Sequence, residues 1–244
     1  MPRILFVKTS SLGDVVHNCP AVSDAARAMP GAEIDWVVEE SFAGIAAMHA
    51  SVRRVIPVAV RRWRSAAWRP SIWREIRDFR RALGAARYDA VVDTQSLLKS
   101  ALIASCAQGA RHGMDAASAR ESLAARFYDS RHAVPRELHA VERNRRLAAA
   151  ALGYPLPASL DYGLRKPPAG KDDVVVFLTM TSRADKLWAE ERWIELGRAV
   201  GARVVLPWGS EAERLRAERI ARALPGASVP PRLSLDRLAA LFAA

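Results

Sequence analysis

Along the chain, short apolar runs alternate with longer stretches in which apolar residues recur three or four apart. Residues 4–7 form the first run and read as a short buried strand; Thr9, Ser10 and Ser11 then supply capping hydroxyls to a helical pattern that starts near Val15. Further strands are expected over 32–38, 52–60, 88–92 and 110–114, with helices from Leu97 and from near Leu138, the last closed by Gly153. An amphipathic helix after Arg69 is expected to bury a stripe of Trp73, Ile76, Phe79 and Leu83. Residues 154–157 and 166–171, rich in proline, read as an interdomain linker with the boundary near residue 165. Beyond it, 173–180 predicts an almost purely apolar buried strand, followed by a strand at 202–207, a charged helix at 211–223 and a short helix at 233–244. Strands alternating with helical patterns imply a parallel, doubly wound α/β sheet.

The first strand-to-helix junction is where chemistry is expected. Such a junction turns backbone N–H groups toward a crevice, and Gly13 lets the chain pass close to a ligand there. Asp14 is the unusual residue, a carboxylate placed to take a proton from a substrate hydroxyl. Its position also has an ordinary cause, since aspartate in a first helical turn is favoured by the helix dipole. With one glycine, the loop is neither a dinucleotide fingerprint nor a Walker-type phosphate loop. The exit of the strand at 173–180 repeats the arrangement, with Thr181, Ser182, Arg183 and Lys186 where a diphosphate could sit.

Charge adds a second theme. With 37 basic and 26 acidic side chains the formal net charge is +11, which favours an anionic partner. Eight arginines between residues 61 and 81 are interleaved with Trp63, Trp68 and Trp73. Guanidinium groups suit phosphate, and tryptophan suits the boundary of a bilayer, so the combination fits a phosphorylated lipid at a membrane surface. Arg61, Arg62 and Arg64 directly follow a strand, where ligand-contacting loops of α/β folds lie. Lys99 is poorly placed for the helix dipole, which suggests that an anion holds it there. The 244 residues suffice for two modest domains, and no run approaches the roughly 20 apolar residues of a membrane span. The opening Met-Pro-Arg lacks a signal-peptide pattern, so a soluble intracellular chain is expected. Cys19 and Cys106 read as small buried residues rather than a disulfide framework or a zinc set.

Several long words carry a resemblance. Val7-Lys-Thr-Ser-Ser-Leu-Gly-Asp-Val-Val-His17, Asp35-Trp-Val-Val-Glu-Glu40, Val55-Ile-Pro-Val-Ala-Val-Arg-Arg-Trp63, Tyr88-Asp-Ala-Val-Val-Asp-Thr-Gln95, His112-Gly-Met-Asp115, His139-Ala-Val-Glu-Arg143 and Leu206-Pro-Trp-Gly209 occur in order. Together they resemble the lipopolysaccharide heptosyltransferases of glycosyltransferase family nine. The resemblance implies a GT-B fold: two Rossmann-like domains facing a cleft, an acceptor-binding domain over residues 1–165 and a partial nucleotide-sugar domain over 166–244. It implies inverting transfer of a heptose from ADP-heptose to a Kdo hydroxyl of Kdo-lipid A, by a cytoplasmic protein peripheral on the inner face of the inner membrane. Asp14 would be the base; Thr181, Ser182, Arg183, Lys186 and Glu213 would serve the donor. Ser10, Ser11, Gly13, Arg61, Arg62, Arg64, Lys99, Arg120 and Arg143 would serve the acceptor. His139 reads as a structural histidine, and Glu213 also suits a first helical turn.

No Asp-x-Asp or His/carboxylate set has metal-ligand spacing, so no obligatory metal or cofactor and no stable protein partner are expected. Family members continue past the segment matching 233–240 and carry an Asp-Thr-Gly-x-x-His word that does not occur here. The expectation is therefore a truncated chain with an intact acceptor domain, an incomplete second sheet and weak or absent transferase activity. The competing reading is a basic, non-catalytic module for nucleic acid or anionic membrane; the absence of a nucleic-acid-binding motif counts against nucleic acid. A related transferase with another sugar or acceptor also fits the residues.

Overall fold

The computed structural model describes residues 1–165, 174–181 and 184–243. The chain divides into two compact units, Met1–Arg165 and Lys166–Ala244. The first is built on six parallel strands, β1 (Arg3–Val7), β2 (Glu33–Glu39), β3 (Val52–Val58), β4 (Arg87–Asp93), β5 (Gln108–Met114) and β6 (Ser130–His132), in the order β3-β2-β1-β4-β5-β6. The order reverses between β1 and β4, and the carboxyl ends of these two strands form the topological switch point of a doubly wound sheet. Ile4 to Val7 are fully buried because helices cover both faces, which is why a continuous apolar run specifies the strand.

The helices of this unit are α1 (Leu12–Val16), α2 (Cys19–Ala28), α3 (Ala43–Met48), α4 (Val60–Ser65), α5 (Pro70–Gly84), α6 (Leu98–Ala104) and α7 (Ala140–Leu152). Three expectations need correction here. Arg61, Arg62 and Arg64 lie on α4, a short helix whose first turn is capped by the buried Glu39 carboxylate accepting from the Arg61 amide at 3.1 Å, rather than on a loop. The buried stripe of α5 is set by Ile72, Ile76, Phe79 and Leu83; Trp73 is 63% exposed, one position off that stripe. Cys19 is buried, its thiol pushed up to about 12 by desolvation, whereas Cys106 is half-exposed.

The first half of the expected linker also behaves otherwise. Residues 154–165 run back along the first unit: Arg145 Nη2 donates to the carbonyls of Pro157 (2.7 Å) and Ser159 (2.9 Å), the Ala50 amide donates to the Gly163 carbonyl, and the Arg165 amide donates to that of Met48. Gly163, at φ +60°, passes so close to Ser23 and His49 that a Cβ would overlap both. The second half of that linker, 166–171, lies outside the described residues.

The second unit pairs β7 (Val174–Val176) with β8 (Arg203–Val205) in parallel, extended by a bridge between Val205 and Ser228, with α8 (Glu190–Val200), α9 (Glu211–Arg222) and α10 (Leu235–Ala243). Phe177, Val204, Leu206, Ala217, Ile220 and Leu224 form its core. The strand expected over 173–180 is shorter and less enclosed: β7 is half-buried and Leu178 is exposed. Among the described residues no helix is long and apolar enough to cross a membrane.

α7 is held to α2 by a buried ion pair, Arg145 Nε to Asp24 Oδ2 at 2.6 Å, with Asp24 fully enclosed. Removing one partner strands the other charge. Arg145→Met should therefore cost about 3–5 kcal/mol of stability, read as a lowered urea midpoint by circular dichroism; a midpoint within error of the parent would mean that Asp24 finds another cation.

Candidate functional site

The switch point holds a cavity of about 200 Å³ lined by Lys8 from the β1 exit, Asp14 of α1, Thr94, Gln95 and Ser96 from the β4 exit, and Met114, Arg120, Arg143 and Asn144. Asp14 sits in the third position of α1: its Oδ2 accepts from the Ser11 amide at 2.9 Å and the Ser11 hydroxyl at 3.2 Å, and lies 3.6 Å from Arg120 Nη1. The capping role and the exposure to the cavity coexist. Partial burial pushes the carboxyl up, but the Ser11 amide, Lys8 and Arg120 outweigh that and hold it below the usual carboxylate value. At neutral pH Asp14 is an ionised acceptor, the state a base requires.

Lys8 is 4% exposed, its Nζ donating to the Thr94 carbonyl at 2.9 Å and to Asn144 Oδ1 at 3.4 Å. Desolvation lowers its pKa to about 8, against the pull of Asp14 and Asp93. Arg143 Nη2 donates to the Ser118 carbonyl at 2.5 Å and contacts Met114 Sδ at 3.1 Å, while its Nε is buried without a partner among the described residues. Burial, with Arg136 and Arg120 nearby, depresses its pKa. Three cations and one carboxylate thus share a small pocket, a surplus of positive charge suited to an anionic ligand.

The loops that carry these groups are tied to one another by Gln95. Its Oε1 accepts from the Thr9 amide (2.6 Å), the Thr9 hydroxyl (3.0 Å) and the Ser10 amide (3.2 Å), and its Nε2 donates to the Ser10 carbonyl (2.7 Å). Beneath it the buried Asp93 accepts from the Gln95 amide at 2.9 Å, the Ser96 amide at 3.2 Å and the Tyr128 hydroxyl at 2.8 Å. Gly113 makes room for Tyr128, since a Cβ there would fall 2.1 Å from its ring.

Of the residues singled out from sequence, the pocket brings together Asp14, Arg120 and Arg143. Lys99 donates to the Ser10 hydroxyl at 2.8 Å, so a protein hydroxyl occupies the place where an anion was expected. A Cβ at Gly13 would meet no protein atom, so the fold itself does not demand glycine there. Arg61, Arg62 and Arg64 do not line the pocket; Arg62 is bound by both Glu40 and Glu75, and Arg61 lies over the Phe42 ring. His139 is the N-cap of α7, accepting from the Val141 amide. In the second unit, Thr181 is half-buried and Lys186 is exposed in a single 3-10 turn, while Ser182 and Arg183 lie outside the described residues. Glu213 closes the turn before α9, accepting from the Gly209 amide at 2.7 Å. Sequence reasoning missed Lys8 and Gln95; the available signals were a lysine at the end of a buried strand and the polar word after β4. Among the described residues no three His, Cys, Asp or Glu side chains cluster as a metal site.

The profile of Glycosyltransferase family 9 (heptosyltransferase) matches residues 76–244. Lipopolysaccharide heptosyltransferase 1 of Salmonella typhimurium is 48% identical over 251 residues, covering 99% of this chain and 79% of its own length. The Pseudomonas aeruginosa protein of the same name is 50% identical, with 99% of this chain and 70% of its own length covered. The chain belongs to glycosyltransferase family 9. The solved structure of Escherichia coli heptosyltransferase WaaC with ADP superposes on this family-9 chain with a TM-score of 0.93 at 46% identity, over 98% of this chain and 78% of the other. The two-sheet α/β architecture is therefore that of the GT-B heptosyltransferases.

In this heptosyltransferase fold the Gln95 clamp should be costly to lose. Gln95→Leu leaves the buried Thr9 and Ser10 amides without their acceptor, a penalty of about 1–3 kcal/mol per group. Amide exchange at Thr9 and Ser10 should accelerate with little change in strands β2 and β5; unchanged protection would show that another group supplies the acceptor.

Proposed function

We propose that the chain transfers L-glycero-D-manno-heptose, with inversion, from ADP-heptose to a Kdo hydroxyl of Kdo-lipid A, working as a peripheral protein on the cytoplasmic face of the inner membrane. The observation that carries the reading is the ionised Asp14 carboxylate at the β1/β4 switch point, in a pocket with Lys8, Arg120 and Arg143. The family relationship supports the reaction class, and the WaaC structures with ADP and with ADP-2-deoxy-2-fluoro heptose support the donor.

Asp14 takes the proton from the acceptor hydroxyl as that oxygen attacks the anomeric carbon. The bond from the anomeric carbon to the diphosphate oxygen breaks, and ADP leaves with the electron pair. Lys8, Arg120 and Arg143 receive the acceptor's carboxylate or phosphate, with Ser10, Ser11, Gly13 and Lys99 shaping the loop beside them; Arg61 and Arg64 receive more distant lipid A phosphates, while Arg62, paired with Glu40 and Glu75, holds α4 in place beside them. Thr181, Ser182, Arg183, Lys186 and Glu213 are assigned to the donor, the cations and hydroxyls offsetting charge that develops on the leaving diphosphate. Residues 1–165 then form the acceptor domain and 166–244 belong to the donor domain.

Asp14→Asn should lower ADP release with a deacylated Kdo-lipid A acceptor by about a hundredfold or more while ADP-heptose binding persists. Near-parent turnover would remove Asp14 as the base. Arg120→Ala deletes a charge that depresses the Asp14 pKa, so the acidic limb of kcat/KM should move to higher pH and the acceptor KM should rise.

A separate outcome concerns pH above neutrality. Lys8 carries its charge below about 8 and loses it above, so acceptor affinity measured by calorimetry should fall as pH rises through that value. Lys8→Met should flatten the dependence at the lower affinity; a parent-like pH profile in that variant would assign the titration to another group.

A further inference from the structure

The correction at α5 leaves two indoles unaccounted for. Trp68 is 75% exposed in the turn between α4 and α5, and Trp73 is 63% exposed in the first turns of α5. They belong to one corner: Trp73 Nε1 donates to the Ala67 carbonyl at 2.9 Å, which sets the Trp73 ring against the turn that carries Trp68. The corner is tied by side-chain contacts. Glu75 accepts from Arg62 at 3.0 and 2.7 Å and from Trp63 Nε1 at 3.1 Å, and Trp63 packs edge-on to Phe79, so α4 and α5 are locked together.

Charge on α5 is segregated as well. At about 100° per residue, Ile72, Ile76, Phe79 and Leu83 mark the buried side; Arg80, Trp73, Arg77, Arg81 and Arg74 follow one another from one flank round to the side opposite the buried stripe, and Asp78 and Glu75 fall on the other flank. These five flank residues are all exposed. Arg69, Arg74, Arg80 and Arg81 have no ion pair among the described residues, and Arg77 has a loose one, 3.9 Å from Asp78. Glu75 is already neutralised by Arg62.

We infer that the α4–α5 corner and the basic flank of α5 form a docking surface for an anionic phospholipid bilayer, with Trp68 and Trp73 entering the interfacial layer and Arg69, Arg74, Arg77, Arg80 and Arg81 meeting lipid phosphates. The surface is separate from the switch-point pocket, and the inference rests on the proposed function only for which membrane face is met. Tryptophan is at home where an apolar layer adjoins polar headgroups, and a cluster of arginines is drawn to the negative potential of anionic lipid. Charge complementarity alone would also suit nucleic acid, but a duplex offers no apolar layer to two protruding indoles.

The test is co-sedimentation of the whole chain with vesicles of phosphatidylethanolamine and phosphatidylglycerol, set against pure phosphatidylcholine. The chain should bind the anionic vesicles, and added salt should weaken binding without abolishing it. Trp68→Ser with Trp73→Ser should lower the partition coefficient by about tenfold, as should Arg77→Glu with Arg81→Glu, both with parent-like thermal unfolding because all four side chains are exposed. Equal binding by the tryptophan variant, equal binding to phosphatidylcholine, or displacement by duplex DNA would overturn the inference. ADP-heptose binding is measured on the same samples: its loss in the parent chain, with vesicle binding retained, would count against the transferase reading and leave the surface standing.

Discussion

The pocket depends on one side-chain amide. Gln95 offers a single oxygen to three donors of the β1 exit and returns a hydrogen bond to the Ser10 carbonyl, so the loops that continue from the paired strands β1 and β4 stay in register beyond the end of the ladder. Asp14 in the helix that follows the β1 exit, Lys8 on that exit and arginines from later elements can be brought within a few ångströms only if the loops do not slide. Asp93 extends the constraint inward, since a carboxyl buried and driven up by desolvation is retained only with several donors around it. Gly113 matters for the same reason, by leaving room for the Tyr128 hydroxyl that is one of those donors.

Electrostatically the pocket balances opposing demands. Lys8 is buried and Asp14 partly so, and each favours the charged form of the other. Arg120 lies between the exposed rim and the carboxylate. A ligand bearing its own negative charge completes this balance, whereas a neutral ligand leaves three cations facing one carboxylate.

Much of the first unit was legible because parallel strands buried on both faces are largely apolar, and a run such as residues 4–7 permits little else. Asp14, Arg120 and Arg143 were legible through long words rather than through periodicity, since nothing in a helical pattern distinguishes a capping aspartate from a base. Lys8 and Gln95 were hidden for a physical reason: their importance lies in which strand exits become neighbours, and that is set by the β1–β4 pairing, 86 residues apart at Lys8 and Thr94. Trp73 was misread because tryptophan scores as apolar in any stripe, although Ile72, one position away, completes the buried side of α5 equally well in spacing.

The return of residues 154–165 along the first unit also fixes where that unit can be cut. Gly153 closes α7 in a left-handed conformation and looks like a natural end. A fragment ending there would strip Arg145 of the Pro157 and Ser159 carbonyls, leave the Ala50 amide without Gly163, and uncover the place where Gly163 lies against Ser23 and His49. The compact unit therefore extends thirteen residues past the end of its last helix, and a boundary drawn from secondary structure alone would remove the strap that finishes its own interior.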